Sequence, residues 1–218
     1  MNSKKTKSVN VKSLMGRPKD AAKREGIVRA ANILFMKNGY TLTSMESVAK
    51  KADVSKLTIY SHFADKDELF KEVIRQRCDK LATPENFMAL AGKPVEKALL
   101  ELGINFTTLI FQPDSIHLQR IMQAEATRHP KVVQLFFEAG PQRVREAFGK
   151  LLQAWNYQKQ LAILDVAKAT DQFFSLLKGE MLMKIMLLQM PTPSEKELKK
   201  HVRATVDFFL AAYRPKAK

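Results

Sequence analysis

Residues 43–63 read TSMESVAKKADVSKLTIYSHF, and the fold is decided in this stretch. Thr43 and Glu46 stand at capping-box spacing, so a helix is expected to start there. Met45, Val48, Ala49 and Ala52 recur at i, i+3, i+4 and i+7 and give that helix one apolar face. Asp53-Val54-Ser55 interrupts the pattern, and Ser55 is a good N-cap for a second helix of about two turns. At about 100° per residue, Ile59 and Phe63 share the side that faces a core. Leu57, Thr58 and Ser61 point most nearly the opposite way, with Tyr60 and His62 on the flanks. A leucine, two hydroxyls, a tyrosine and a histidine suit a surface that reads a partner better than a plain solvent face. Two helices joined in this way form a helix-turn-helix, whose second helix lies in the major groove of DNA.

Composition agrees with an anionic partner. The 218 residues carry a formal charge of +15. Residues 1–77 hold 17 Lys/Arg against 8 Asp/Glu, so the first third contributes most of the excess. Apolar content of 45 % is ample for a core, and the apolar runs have helical period, which points to an all-α chain. Cys78 is the only cysteine, so no disulfide can form within the chain, which fits a reducing cytoplasm. The N-terminus has charges but no apolar core of a secretory signal. The longest apolar stretch, Met181–Met190, spans about half a bilayer and contains Lys184, so no transmembrane segment is expected.

Outward from the opening stretch, residues 1–19 are polar and Lys-rich and are expected to form a disordered basic tail. Gly16-Arg17-Pro18 resembles the core of an AT-hook, which would place Arg17 in a narrow minor groove. Generic phosphate contact by Lys4, Lys5, Lys7, Lys12 and Lys19 is the plainer alternative. A first helix is expected from Asp20 to Lys37, with Ile27, Ala30, Ala31, Leu34 and Phe35 as its stripe and Gly39 as its C-terminal cap. Asp65 and Glu68 cap a fourth helix carrying Leu69, Phe70, Val73 and Ile74. Lys66 opposes the dipole at that helix start, which is explicable if it faces a DNA phosphate. Thr83 to Pro94 lacks periodicity and marks a domain boundary. Helices follow on the stripes Val95–Phe106, Leu118–Glu125 and Val132–Glu138. Ala139-Gly140-Pro141 breaks the last of these, and a longer helix then runs to Tyr157. Val166–Met190 is strongly apolar, and Ser194 with Glu197 opens a last helix. The expected divisions are 1–19, 20–80 and 81–218.

The pieces from Ile27 to Phe70, namely a helix ending at Gly39-Tyr40, then TSMESVAKKADVS, TIYSHF and DKDELF, resemble the TetR/AcrR family of bacterial transcription regulators. Two positions depart from the family pattern. Asp53 stands where Gly is usual, and Leu57 where a small residue is common. Asp tolerates left-handed backbone better than most residues, so the turn can survive. Residues 120–144, RIMQAEATRHPKVVQLFFEAGPQRV, resemble the AefR-like subgroup of C-terminal domains. The resemblance implies DNA contacts from Thr43, Thr58, Tyr60, His62 and Lys66.

The residues themselves support such roles. Leu57 can touch a thymine methyl. Thr58 and Tyr60 can hold phosphates, and His62 can donate to one at either tautomer. Thr43 and Ser44 sit at a helix N-terminus, where backbone N–H groups also bind phosphate. Lys56 and Ser61 complete the expected DNA set. For Tyr60 a half-buried core position is the alternative. In the C-terminal part, Phe106, Ile110, Met122, Glu125, Trp155 and Phe174 are the candidate ligand-binding residues. Plain core packing is the alternative for the apolar ones, and for Glu125 an ion pair with Arg120, Arg128 or a base on another helix. Cys78 is either packing or a redox thiol.

His62, His117, His129 and His201 lack metal-ligand spacing with any carboxylate or thiolate, and there is no phosphate loop or nucleophile elbow. No metal, cofactor or catalysis is expected. The reading is all-α: an N-terminal three-helix DNA-binding domain with a helix-turn-helix, and a larger C-terminal helical domain for ligand binding and dimerisation. Such a chain would be a cytoplasmic, homodimeric repressor, released from a palindromic operator on double-stranded DNA by a small-molecule effector. The apolar girth of residues 181–190 suits a subunit contact. A ligand-independent basic DNA-binding protein of nucleoid type is the alternative.

Overall fold

The computed structural model describes residues 18–82 and 84–215. Residues 1–17 of the expected basic tail, with Arg17 and its minor-groove role, lie outside the described residues, while Pro18 and Lys19 open the first helix. Eleven α-helices and one π-helical turn follow, and no strand occurs among the described residues.

Four helices make the N-terminal unit: α1 (Pro18–Asn38), α2 (Met45–Lys51), α3 (Lys56–His62) and α4 (Lys66–Ala82). Gly39 follows α1 at φ +73°, where its N–H closes on Phe35 O at 3.0 Å. This is the left-handed C-terminal cap that a side chain would strain. The cap of α2 differs from expectation. Ser44, not Thr43, accepts from Ser47 N at 3.0 Å, and Ser47 Oγ receives Ser44 N at 3.1 Å. Thr43 is drawn inward, 1 % exposed, and donates to Gly39 O at 2.8 Å. Its methyl and hydroxyl are both satisfied there, which leaves the cap to its neighbour. Asp53 takes φ +53°, so the turn keeps its left-handed residue without glycine. Glu68 N donates to Asp65 Oδ1 at 2.8 Å, and Glu68 reaches back to Ala64 N.

The C-terminal unit comprises α5 (Pro84–Ala91), α6 (Val95–Ile110), α7 (Pro113–Glu125), α8 (Pro130–Phe137), α9 (Arg143–Tyr157), α10 (Val166–Met186) and α11 (Glu195–Tyr213). α5 occupies the stretch that lacks periodicity and was expected as the domain boundary. Its Leu90 is buried against the α6, α9 and α10 core, so tertiary packing overrides weak local periodicity. Ala139-Gly140-Pro141 does not stop the chain either. Residues Glu138–Gln142 form a π-helical turn that carries α8 straight into α9. The wider turn accommodates Pro141, which has no N–H for an ordinary helical bond.

α10 departs from the expected continuous helix. At Gly179 the backbone swings to φ +52°, ψ −167°, and the helix ends at Met186 rather than Met190. His201 Nε2 lies 3.0 Å from Leu177 O, one of the carbonyls at the break. Ile185 turns inward, while Met183, Leu187 and Leu188 face out. Ser194 and Glu197 form the reciprocal cap of α11 as expected.

The N-terminal core does not close on itself. Ile27, Phe35, Val48, Ile59 and Phe70 pack in one cluster with Leu118 and Met122 of α7 and with Val132 and Leu135 of α8. The C-terminal core proper is Leu99, Phe148, Trp155, Phe173, Val202 and Phe209 with their neighbours. No described helix is long and apolar enough to cross a membrane.

Candidate nucleic-acid interface and the cavity behind it

α3 is held from both sides. Below it, Ile59 and Phe63 are fully buried. At its start, Thr58 N donates to Ser55 Oγ at 3.0 Å, and the two hydroxyls are 2.8 Å apart. Ser61 Oγ donates to Thr58 O at 2.8 Å. These bonds leave Leu57 82 % exposed, with Lys56, Tyr60 and Ser61 also exposed. Lys56 Nζ lies 2.5 Å from Glu46 of α2 and 5.9 Å from the centre of the Tyr60 ring. Its charge is thereby aimed along the same surface as Tyr60. Ser44 is exposed at the start of α2.

Three expected contacts are engaged elsewhere. Thr43 is buried, as above. The His62 side chain is 9 % exposed, with Nε2 3.2 Å from Asp20 of α1, so it ties α3 to α1. Lys66 Nζ donates to the carbonyls of Tyr40 and Thr43, each at 3.1 Å, and sits 4.2 Å from the centre of the Tyr40 ring. Burial pulls its pKa below the ordinary lysine value. Those carbonyls partner the ammonium and offset the unfavourable dipole at the start of α4. Leu42, exposed in the loop before α2, is a surface residue that pattern reading missed. A leucine there is indistinguishable by type from a core residue.

α1 and α4 are locked by Glu72, which is 7 % exposed at its side chain. It accepts from Arg24 at 2.9 Å, from Gln76 at 3.0 Å and from Arg75. Burial alone would raise the Glu72 pKa, but the Arg24 and Gln76 hydrogen bonds and the two arginine charges hold it below the ordinary value. Arg24 also lies 4.8 Å over the Phe63 ring, directly after α3.

Behind this unit lies a cavity of about 290 Å³. Phe106 and Ile110 of α6 and Phe174 of α10 line it, as expected, together with Ile74 and Cys78 of α4. Met122, Glu125 and Trp155 do not. Met122 lies one helical turn past Leu118 and is buried in the α1/α4 core. Trp155 is fully buried in the C-terminal core. Glu125 ends α7 half-buried, with one covered carboxylate oxygen 3.7 Å from His129 Nε2, and does not line the cavity. Arg120 donates instead to Ile185 O at 2.7 Å, at the end of α10. Burial pushes the Cys78 thiol up to about 11, which keeps it protonated and favours packing over redox chemistry.

The cavity touches the helices that support α3. α4 contributes Arg77, whose guanidinium donates to Asn32 of α1 at 3.2 Å and to Ser115 of α7 at 3.4 Å. His117 of α7 lies 2.9 Å from Met36 O at the end of α1.

Comparison with known proteins agrees with this geometry. The model for bacterial regulatory proteins of the tetR family matches residues 27–73. The model for the AefR-like transcriptional repressor C-terminal domain matches residues 97–215. Among curated proteins, the uncharacterised HTH-type transcriptional regulator YhgD of Bacillus subtilis is 40 % identical over 65 residues, which are 27 % of this chain and 34 % of that one. The HTH-type transcriptional regulator UidR of Escherichia coli K12 is 27 % identical over 114 residues, 50 % of this chain and 54 % of UidR. The chain thus spans between about a third and about half the length of these curated relatives. Solved structures match over far more. A TetR-family regulator from Mesorhizobium loti superposes with a TM-score of 0.75 at 28 % identity, covering 91 % of this chain and all of that one. The Flavonoid-responsive Regulator FrrA does so with a TM-score of 0.71 at 30 % identity, over 90 % of this chain and all of that one.

Proposed function

This chain belongs to the tetR family of bacterial transcription regulators, with an AefR-like C-terminal domain, and on that premise we propose that it is a homodimeric, cytoplasmic repressor released from a palindromic operator by a small effector in the α4–α10 cavity. The observation that carries this reading is the double placement of α4. Leu69 and Phe70 at its start pack in the core that seats α3, and Ile74, Arg77 and Cys78 further along face the cavity. One rigid helix therefore meets both a ligand and the reading head. A shift of α4 or α7 would move the two recognition helices of a dimer away from the spacing of about 34–36 Å that successive major grooves require. The effector acts only through its differential affinity for the two arrangements.

Leu57, Tyr60, Lys56, Ser61, Thr58 and Ser44 are the residues assigned to DNA. Thr43, His62 and Lys66 are assigned to holding the unit together, with Lys66 reaching a phosphate only by leaving its two carbonyls. Outward-facing Met183 of α10, Leu187 and Leu188 just beyond its end, and Phe208 of α11 supply an apolar face for the second subunit. FrrA is named for its response to flavonoids, which supports an effector of small-molecule size.

The test is operator selection from randomised duplexes by the purified protein, followed by footprinting. A two-fold symmetric site protected by a dimer is expected. Equal binding to all sequences would overturn the regulator mechanism in favour of a nucleoid-type protein. Tyr60→Ala should remove the preference for the selected site in the first case, and weaken all DNA alike in the second.

A further inference from the structure

The cavity wall is mostly apolar and carries a few polar groups. Phe106, Ile110, Leu118 and Phe174 form much of it, Ser115 and Gln119 add neutral polar groups, and no Asp or Glu among the described residues lines it. Three cations do: Arg77, Arg145 and Lys178. Arg145 is paired with Asp171, and Arg77 is spread over Asn32 and Ser115. Lys178 is half-buried and has no carboxylate partner among the described residues. Burial, and then the like charge of Arg145, pull its pKa down from the ordinary lysine value. A half-buried cation beside a second cation loses part of its hydration with no opposite charge in return, and an anion in the cavity would supply that charge.

We infer that the cavity takes a compact apolar molecule carrying one anionic oxygen group, a carboxylate or an acidic phenol, with the anion set against Lys178 and its apolar body against Phe106 and Phe174. The inference rests on the effector reading above and names the class of effector. A cavity of about 290 Å³ stands at the small end of ligand sites, which run from ~300 to 1,000 Å³. The position of Lys178 also suits a signal. It immediately precedes Gly179, where α10 breaks, and the segment beyond the break presents Ile185 O to Arg120 of α7. An anion that draws Lys178 towards the cavity acts at that hinge.

The experiment uses the full chain and calorimetric titration with three probes: decanoate, the flavonoid naringenin, and decan-1-ol as the uncharged match for decanoate. Decanoate or naringenin should bind at least tenfold more tightly than decan-1-ol, and whichever of the two does so identifies the source of the anion. Lys178→Met should abolish that advantage and leave decan-1-ol unaffected, whereas Lys178→Arg, which keeps the charge, should retain it. Ligand-free Lys178→Met should melt no lower than wild type, because it removes an uncompensated charge. Loss of the advantage in Lys178→Arg as well would mark a packing role and overturn the assignment. Equal binding of decanoate, naringenin and decan-1-ol, blocked by Ile110→Trp, would overturn the anion inference while leaving the effector site standing. Binding of none of the three at millimolar concentration, or binding that Ile110→Trp does not affect, would overturn both.

Discussion

Replacing Glu72 by Gln tests whether the α1–α4 lock positions α3. The substitution keeps the shape and removes one negative charge from a site where Arg24, Arg75 and Gln76 converge. Hydrogen bonds to a charged group contribute about 1.5–3 kcal/mol net, against about 0.5–1.5 kcal/mol for neutral ones. Two arginine bonds would then lose about 1 kcal/mol each. The Arg24 and Arg75 side chains are 36 % and 47 % exposed, so water recovers part of this. A loss of about 1–2 kcal/mol remains, or about 3–6 °C in melting temperature for a chain of this size. The sign with pH follows from the lowered Glu72 pKa. Its contribution is full above the unfolded-state value and is lost as pH falls through the folded-state value. Melting curves of wild type and Glu72→Gln should therefore differ at neutral pH and converge in acid below the ordinary glutamate range. Operator affinity should fall in parallel, because Arg24 links Glu72 to the Phe63 ring at the end of α3. Equal melting at neutral pH, or a gap that persists unchanged in acid, would refute the reasoning.

Four other outcomes are expected. Leu57→Gly should change which operator sequences are selected from a random pool. Leu57→Ala should shift stability by no more than about 0.5 kcal/mol, since so exposed a side chain packs on nothing. Asp53→Gly should stabilise the protein by about 0.5–1 kcal/mol in denaturant titration, because the relief of left-handed strain, about 1–2 kcal/mol, exceeds the entropic cost of glycine. Phe208→Glu combined with Met183→Glu should reduce the mass seen by light scattering from twice 24.8 kDa to 24.8 kDa. An unchanged mass would remove this face from the interface.

Much of the N-terminal unit was legible because its signals are local. Ser55, Asp53, Gly39 and the Ile59/Phe63 pair depend on residues within a turn or two of themselves, and each does what its spacing dictates. The exposure of Leu57, Tyr60 and Ser61 follows from burying Ile59. The placements that were not legible concern side chains long enough, or placed closely enough, to choose among partners. Lys66 could reach a phosphate or two carbonyls, and only the position of the Tyr40–Thr43 loop against α4 decides for the carbonyls. His62 likewise could reach a phosphate, and the packing of α1 sets Asp20 beside it.

The C-terminal unit marks the division more sharply. Helical period and end caps, as at Ser194 and Glu197, are properties of the chain itself and were determined by the sequence alone. Which apolar side chains leave a space between them is a property of how helices cross. Phe106, Ile110 and Phe174 face the cavity, while Met122 and Trp155, equally apolar and equally periodic, fill cores. The break at Gly179, the π turn at Pro141 and the charge of Lys178, which has no carboxylate partner among the described residues, arise where several helices meet at once. No window of sequence contains those meetings, so the reading helix belongs to the sequence and the cavity that would govern it belongs to the tertiary structure.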